Sequence, residues 1–111
     1  MISLKNQEFR TVYDCGKSCG NRLLVMYVYE NDLDYNRIGI SVSKKVGNSV
    51  VRHRVKRLIK ESLRLCGNDL SSGLDIVVIA KHQTVGKMFF EIDSAVKHLA
   101  GKMKIIRKTE A

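Results

Sequence analysis

The sequence contains no proline, which leaves glycine and asparagine to mark its turns. Cysteine is scarce, with three residues in 111: Cys15, Cys19 and Cys66. An odd, sparse set excludes a disulfide framework, and the C-x3-C pair Cys15/Cys19 lacks the second pair a structural zinc site would need. Free thiols are expected, with Cys66 a small core residue on the apolar face of a helix. No apolar run approaches the roughly 18–20 residues that span a bilayer. The segment MISLKNQEF turns polar after four residues and has no signal-peptide core, so a cytoplasmic protein with no membrane partner is expected. Catalytic signatures are missing as well: there is no P-loop, no GxSxG and no HExxH. His53, His82 and His98 stand without a cysteine or carboxylate pattern, and Asp32 and Asp34 read as turn acids. The expectation is therefore no catalytic residue and no metal site on the protein.

What is present is a core and a charge. Residues 1–111 are expected to form a single domain, and 44% hydrophobic residues suit a folded chain rather than a basic tail. The net charge is +9, and residues 44–64 hold eight Lys/Arg against the single acid Glu61, a net +7. The other 90 residues carry 12 basic and 10 acidic side chains and are nearly neutral. Such concentration asks for a polyanionic partner.

Taken in order, residues 6–14 predict a short helix capped by Asn6, with Glu8 in its first turn and Gly16 in a left-handed C′ position. Phe9, Val12 and Tyr13 share one face. Residues 17–21 are a connection or a short edge strand. Arg22–Glu30 reads as a strand with Leu23, Val25, Tyr27 and Tyr29 on one side and Leu24, Met26 and Val28 on the other. After the acidic loop 31–36, Arg37–Ser43 predicts a second strand that buries Ile38, Ile40 and Val42. Its other face, Arg37, Gly39, Ser41 and Ser43, is small and polar: either an open floor for a ligand or a half-exposed sheet edge. A long helix then starts after Asn48 or Ser49. Its apolar stripe is Val51, Val55, Leu58, Ser62, Leu65 and Cys66, with Ile59 at the margin, and basic residues cover the rest. Gly67 ends it. Leu74–Ala80 is a buried strand, and a last helix over 87–106 packs Met88, Phe89, Ile92, Val96, Leu99 and Met103 before a basic end expected to fray. The fold class is α+β, a small sandwich of helices on a sheet of at most four strands.

Charge runs on helices usually mix Lys with Glu at i, i+4. Here repulsion among Arg52, Arg54, Lys56, Arg57, Lys60 and Arg64 is uncompensated, an arrangement that phosphates would complete, and the arginine fork engages phosphate bidentately. Lys44, Lys45 and the Gly47–Asn48 turn add donors at the helix's positive end.

These residues carry a resemblance. GISVSKKVGNSVVRHRVKRLIKES resembles the signature of the bacterial ribonuclease P protein subunit, VSKK-[IV]-GN-x-V-x-R-N-R-x-K-R. LKNQEFRTVYDCGKSCGNRLLVMYV is similar to that family's N-terminal L-K-x-x-x-[DE]-F-x-x-V-[FY]-x-x-G segment, and LDIVVIAK to its final strand. His53 departs from the pattern, standing where the motif has its middle Asn. The resemblance implies an αβββαβα sandwich, ribosomal-protein-like, with a four-stranded sheet and a left-handed βαβ crossover against the usual right-handed rule.

The resemblance further implies an endoribonuclease subunit acting in removal of the 5′ leader from precursor tRNA. The RNA subunit would be the catalyst, Mg²⁺ would be held mainly by RNA, and one protein would bind one ribonuclease P RNA. It assigns catalytic-RNA binding to Lys44, Lys45, Asn48, Arg52, His53, Arg54, Lys56, Arg57 and Lys60. Leader binding falls to Phe9, Tyr13 and Tyr27, with Gly39, Ser41 and Ser43 keeping the floor accessible; core packing is the competing reading of Phe9. A ribosomal protein or other structural RNA binder is the rival. A helix-turn-helix DNA binder would need a short helix where a strand is read, and a protein-only nuclease would need clustered carboxylates.

Overall fold

The computed structural model describes residues 2–107. In chain order the elements are β1 (Ile2–Ser3), α1 (Asn6–Cys15), β2 (Lys17–Gly20), β3 (Leu24–Glu30), β4 (Arg37–Ser41), α2 (Ser49–Cys66), β5 (Leu74–Ala80) and α3 (Phe89–Lys102), with single 3₁₀ turns at Gly67–Asp69 and His82–Thr84. The sheet is mixed and runs β1-β4-β5-β3-β2. It has five strands where at most four are expected. The extra one is the two-residue β1, which pairs parallel to β4 through Ile2↔Arg37 and Ser3↔Ile38; so short and exposed a segment carries no alternation to read. The 17–21 connection does form an edge strand, antiparallel to β3.

β5 is the central strand. It pairs antiparallel to β3 along all seven residues and parallel to β4, so the β4–α2–β5 segment is the βαβ crossover that the resemblance implies. A strand covered on both faces must be apolar throughout. Ile76, Val77 and Val78 accordingly have no exposed surface, whichever way they point.

One sheet face takes Leu24, Met26, Val28, Ile76 and Val78 against Val55, Ile59 and Leu63 of α2 and Ile92, Val96 and Leu99 of α3. Each fully buried aliphatic side chain here is worth about 1.5–3 kcal/mol. The stripe of α2 is rotated from the expected one. Ile59 is fully buried at its centre, Leu63 joins it, and Leu65 is 56% exposed, because α3 packs on the Ser62 side, where the Ser62 hydroxyl donates to Asp93 at 2.7 Å. The opposite face is covered by α1 and the residues just before it: Val12, Leu4 and Val77 are buried there, with Phe9, Tyr27, Tyr29 and Ile79 half-buried around them.

Several boundaries differ from expectation. The N-cap of α1 is Lys5, whose backbone N–H donates to Glu8 Oε1 at 2.7 Å, and Gly16 has φ −79°, extended rather than left-handed. A Cβ at Gly16 would meet the Val12 and Val28 carbonyl groups, so close backbone approach explains this glycine. β4 ends at Ser41, and α3 at Lys102 rather than 106. The chain then turns at Lys104 (φ 59°), buries Ile105 and pairs Ile106 with Leu70, so 103–107 do not fray. The rest of the expected fraying end, 108–111, lies outside the described residues.

Candidate nucleic-acid interface

The basic surface starts in the turn after β4. Val46 N–H donates to the Ser43 carbonyl at 3.0 Å, and the buried Val46 side chain pins the turn, leaving Lys44 and Lys45 exposed. Asn48 then caps α2 through Oδ1, which accepts from Val51 N–H at 3.0 Å, a cap worth about 1 kcal/mol. No acid occupies the first turn of α2. His53, Arg54, Lys56, Arg57 and Lys60 are exposed along it, and Arg52 is half-buried. Two arginines are oriented by backbone carbonyls: Arg52 Nε donates to Gly47 O at 3.2 Å, and the Arg54 guanidinium to Lys87 O at 3.0 Å. Four ion pairs occur among the described residues, and none involves Lys44, Lys45, Arg52, Arg54, Lys56, Arg57 or Lys60. Arg64 differs, since Glu61 accepts from it at 2.5 Å. The carboxylate raises the Arg64 pKa, and the guanidinium holds Glu61 below the usual carboxylate range.

The aromatic side chains gather where α1 crosses the sheet. The Phe9 and Tyr13 rings lie 6.2 Å apart and tilted, and Tyr13 meets Tyr27 of β3 edge-on at 5.1 Å. Partial burial pushes the Tyr13 hydroxyl above the usual range, while the neighbouring Ser41 side chain pulls it back and Tyr27 adds a further upward push. Phe9, Tyr13, Tyr27 and Ser41 therefore form one cluster at the junction of α1 and the sheet. Ser43 stands apart, exposed beyond the end of β4.

Gly39 corrects the open-floor expectation. It is buried, and a Cβ there would lie 2.6 Å from Phe9 Cε1 and 3.1 Å from Leu4 Cδ1. The space over this glycine is filled by the Phe9 ring, not left for a ligand. Phe9 packs one edge on Gly39, as the core-packing reading has it, and its ring lies tilted beside that of Tyr13.

The two surfaces adjoin. Ser41 and Val42 at the end of β4 and Ser49, Arg52, His53 and Lys56 of α2 line one open groove. A larger groove bordered by Cys15, Lys17, Glu30, Asp32, Ser72 and Lys104 mixes both charge signs and holds none of the predicted residues. A further cluster is not evident from sequence. Arg37 joins buried Asp75 of β5 and Glu8 of α1, positions 38 and 29 residues away along the chain, and only the strand register brings them together.

Comparison with known proteins identifies the family. The family model described as Ribonuclease P matches residues 4–104. The Ribonuclease P protein component of Lachnoclostridium phytofermentans is 59% identical over 109 residues, spanning 97% of this chain and 94% of that one. That of Clostridium acetobutylicum is 56% identical over 104 residues, spanning 92% and 87%. The solved RNase P protein of Staphylococcus aureus superposes with a TM-score of 0.86 at 34% identity over 94% of this chain and 95% of the other. That of Thermotoga maritima gives 0.82 at 26% identity with both chains fully covered. The chain belongs to the ribonuclease P protein family.

Proposed function

We propose that this protein serves ribonuclease P, the ribonucleoprotein endoribonuclease of tRNA processing, by binding two RNA segments at once. The face of α2 with Lys44, Lys45 and Asn48 docks the catalytic RNA, one protein per RNA. The cleft of Phe9, Tyr13, Tyr27 and Ser41 holds the single-stranded 5′ leader of precursor tRNA in the cytoplasmic enzyme. The observation that carries this reading is the ion-pair pattern: seven bases in and before α2 have no carboxylate partner among the described residues.

The division of labour follows from chemistry. Arginine forks and lysine ammonium groups neutralise phosphates, and each contact steepens the fall of affinity with salt by about 0.7–0.9 in the log–log slope. Base stacking on aromatic rings contributes about 1–3 kcal/mol per base whatever the base, so the cleft tolerates varied leaders. Among the described residues no three His, Cys, Asp or Glu side chains gather into a metal-holding group. In this reading the Mg²⁺ that supports hydrolysis has RNA oxygens as ligands, and the protein's part is to bind, orient and relieve charge repulsion.

Reconstitution tests the proposal. With the cognate ribonuclease P RNA at low Mg²⁺, adding the protein should stimulate leader cleavage, and precursor should bind more tightly than mature tRNA. No stimulation and no discrimination would favour a purely structural RNA binder.

A further inference from the structure

The leader cleft is built from a helix lying on a sheet, so its shape depends on where that helix sits. Along the face of β4 that α1 covers three contacts succeed one another: Arg37 meets Glu8, Gly39 lies under Phe9, and Ser41 lies beside Tyr13. The last two contacts are soft, an aromatic edge and a hydroxyl. The first is held from several directions. Arg37 Nε and one terminal nitrogen donate to the two oxygens of Asp75 at 2.8 and 2.7 Å, and the other terminal nitrogen donates to Glu8 Oε2 at 2.6 Å. Asp75 is itself fixed, 1% exposed on the central strand and accepting from Asn31 Nδ2 at 2.8 Å. The free oxygen of Glu8 accepts from Lys5 N–H and closes the first turn of α1. One carboxylate therefore starts the helix and ties it to the sheet, and the next residue along is Phe9.

We propose that Arg37 and Glu8 are positioning residues of the leader cleft, acting through α1 to set Phe9 and Tyr13 over Gly39 and Ser41. This rests on the leader-binding reading of the cleft. The bidentate pair with Asp75 fixes the direction in which Arg37 presents its remaining nitrogen to Glu8, whereas an apolar contact between α1 and the sheet fixes no direction.

The test uses an opposition of sign. If the charges near the cleft acted simply by attracting or repelling RNA, Glu8→Gln, which removes an anion, would leave precursor binding unchanged or tighten it. Positioning requires the reverse. In the reconstituted holoenzyme, Glu8→Gln should weaken precursor binding by about 10-fold, the low end for one hydrogen bond to a charged group. Mature tRNA and catalytic-RNA affinity and the salt slope should stay unchanged. Arg37→Lys, which keeps the charge but loses the fork, should do the same, and hydrogen exchange should show faster opening of α1 in both variants. Tyr27→Ala is run alongside. If Tyr27→Ala discriminates precursor from mature tRNA but Glu8→Gln does not weaken precursor binding, positioning is wrong and the leader cleft stands. If Tyr27→Ala fails to discriminate, the cleft reading falls and the positioning role with it. Equal losses for precursor, mature tRNA and catalytic RNA would mark a general folding defect and also overturn the proposal.

Discussion

Replacing Gly39 by alanine adds one methyl group at the point where α1 touches the sheet. The new carbon would lie 2.6 Å from Phe9 Cε1 and 3.1 Å from Leu4 Cδ1, while Leu4 is buried and cannot move aside cheaply. The Phe9 ring must shift or rotate. Overpacking of this kind costs about 1–3 kcal/mol, and restricting the unfolded chain by Gly→Ala returns about 0.4–1 kcal/mol. A net destabilisation of about 1–2 kcal/mol is expected, read as a lowered urea midpoint with an unchanged m-value. The source can be isolated with a double-mutant cycle. In a Phe9→Ala background only the 3.1 Å approach to Leu4 Cδ1 remains, so most of the Gly39→Ala penalty should disappear. Displacing Phe9 also disturbs its tilted contact with Tyr13, and precursor affinity should fall with stability in the single mutant. A Gly39→Ala protein as stable as the parent, or a penalty undiminished without the Phe9 ring, would refute the account of this glycine.

Three further outcomes are expected. Replacing Arg52 and Arg57 together by alanine should weaken catalytic-RNA binding and reduce the log–log salt slope by about 1.4–1.8, two contacts' worth; a salt titration of affinity with an unchanged slope would remove α2 as the docking face. Tyr27→Ala should cost precursor about 1–3 kcal/mol per stacked base, roughly 5- to 150-fold in affinity, with little effect on mature tRNA; filter binding of both RNAs checks this. Burial pushes Asp93 up, but hydrogen bonds from Lys97 and Ser62 and the Lys97 charge outweigh it and hold the carboxyl below its usual range. A depressed carboxyl contributes stability above its unfolded pKa of about 3.9 and loses it as pH falls through the folded value. The stability gap between the parent and Asp93→Asn, measured in urea from neutral pH downward, should therefore close on the acid side; a gap independent of pH would show that Asp93 contributes no linked charge.

What could be read from the sequence was whatever depends on spacing along one element. The basic helix announced itself through charge and through Asn48, and the β-branched run at 74–80 was recognisably a fully covered strand. Period-2 alternation placed Gly39, Ser41 and Tyr27 on sheet faces. It could not say that α1 covers Gly39, because what lies on a face is decided by another element's packing. The buried stripe of α2 differs from the helical-wheel one for the same reason: α3 chooses the side, and Ile59 rather than Leu65 is buried. The Glu8–Arg37–Asp75 cluster needs the β4–β5 register before any of its members points at another.

The electrostatics of α2 bear on its proposed role as the docking face. Arg52 lies in the first turn of the helix, where the macrodipole is positive and a base is disfavoured by about 0.3–1 kcal/mol, and Arg54, Lys56 and Arg57 follow it directly. Like charges at i, i+4 add to that cost, and no acid in the first turn offsets it. An anion bound at this end removes both penalties at once, so the free protein should gain stability from added salt or polyanion, and the gain should vanish when Arg52 and Arg57 are replaced. The groove that joins this end of α2 to Ser41 and Val42 puts His53 on the border between the proposed docking face and the proposed leader site. An asparagine amide offers donor and acceptor from one terminal group to one side, whereas the ring nitrogens of histidine point in different directions. A contact that needs the paired amide cannot be copied by His53. An RNA partner meeting this border must therefore engage it through one nitrogen at a time, or through Arg52 and Lys56 beside it.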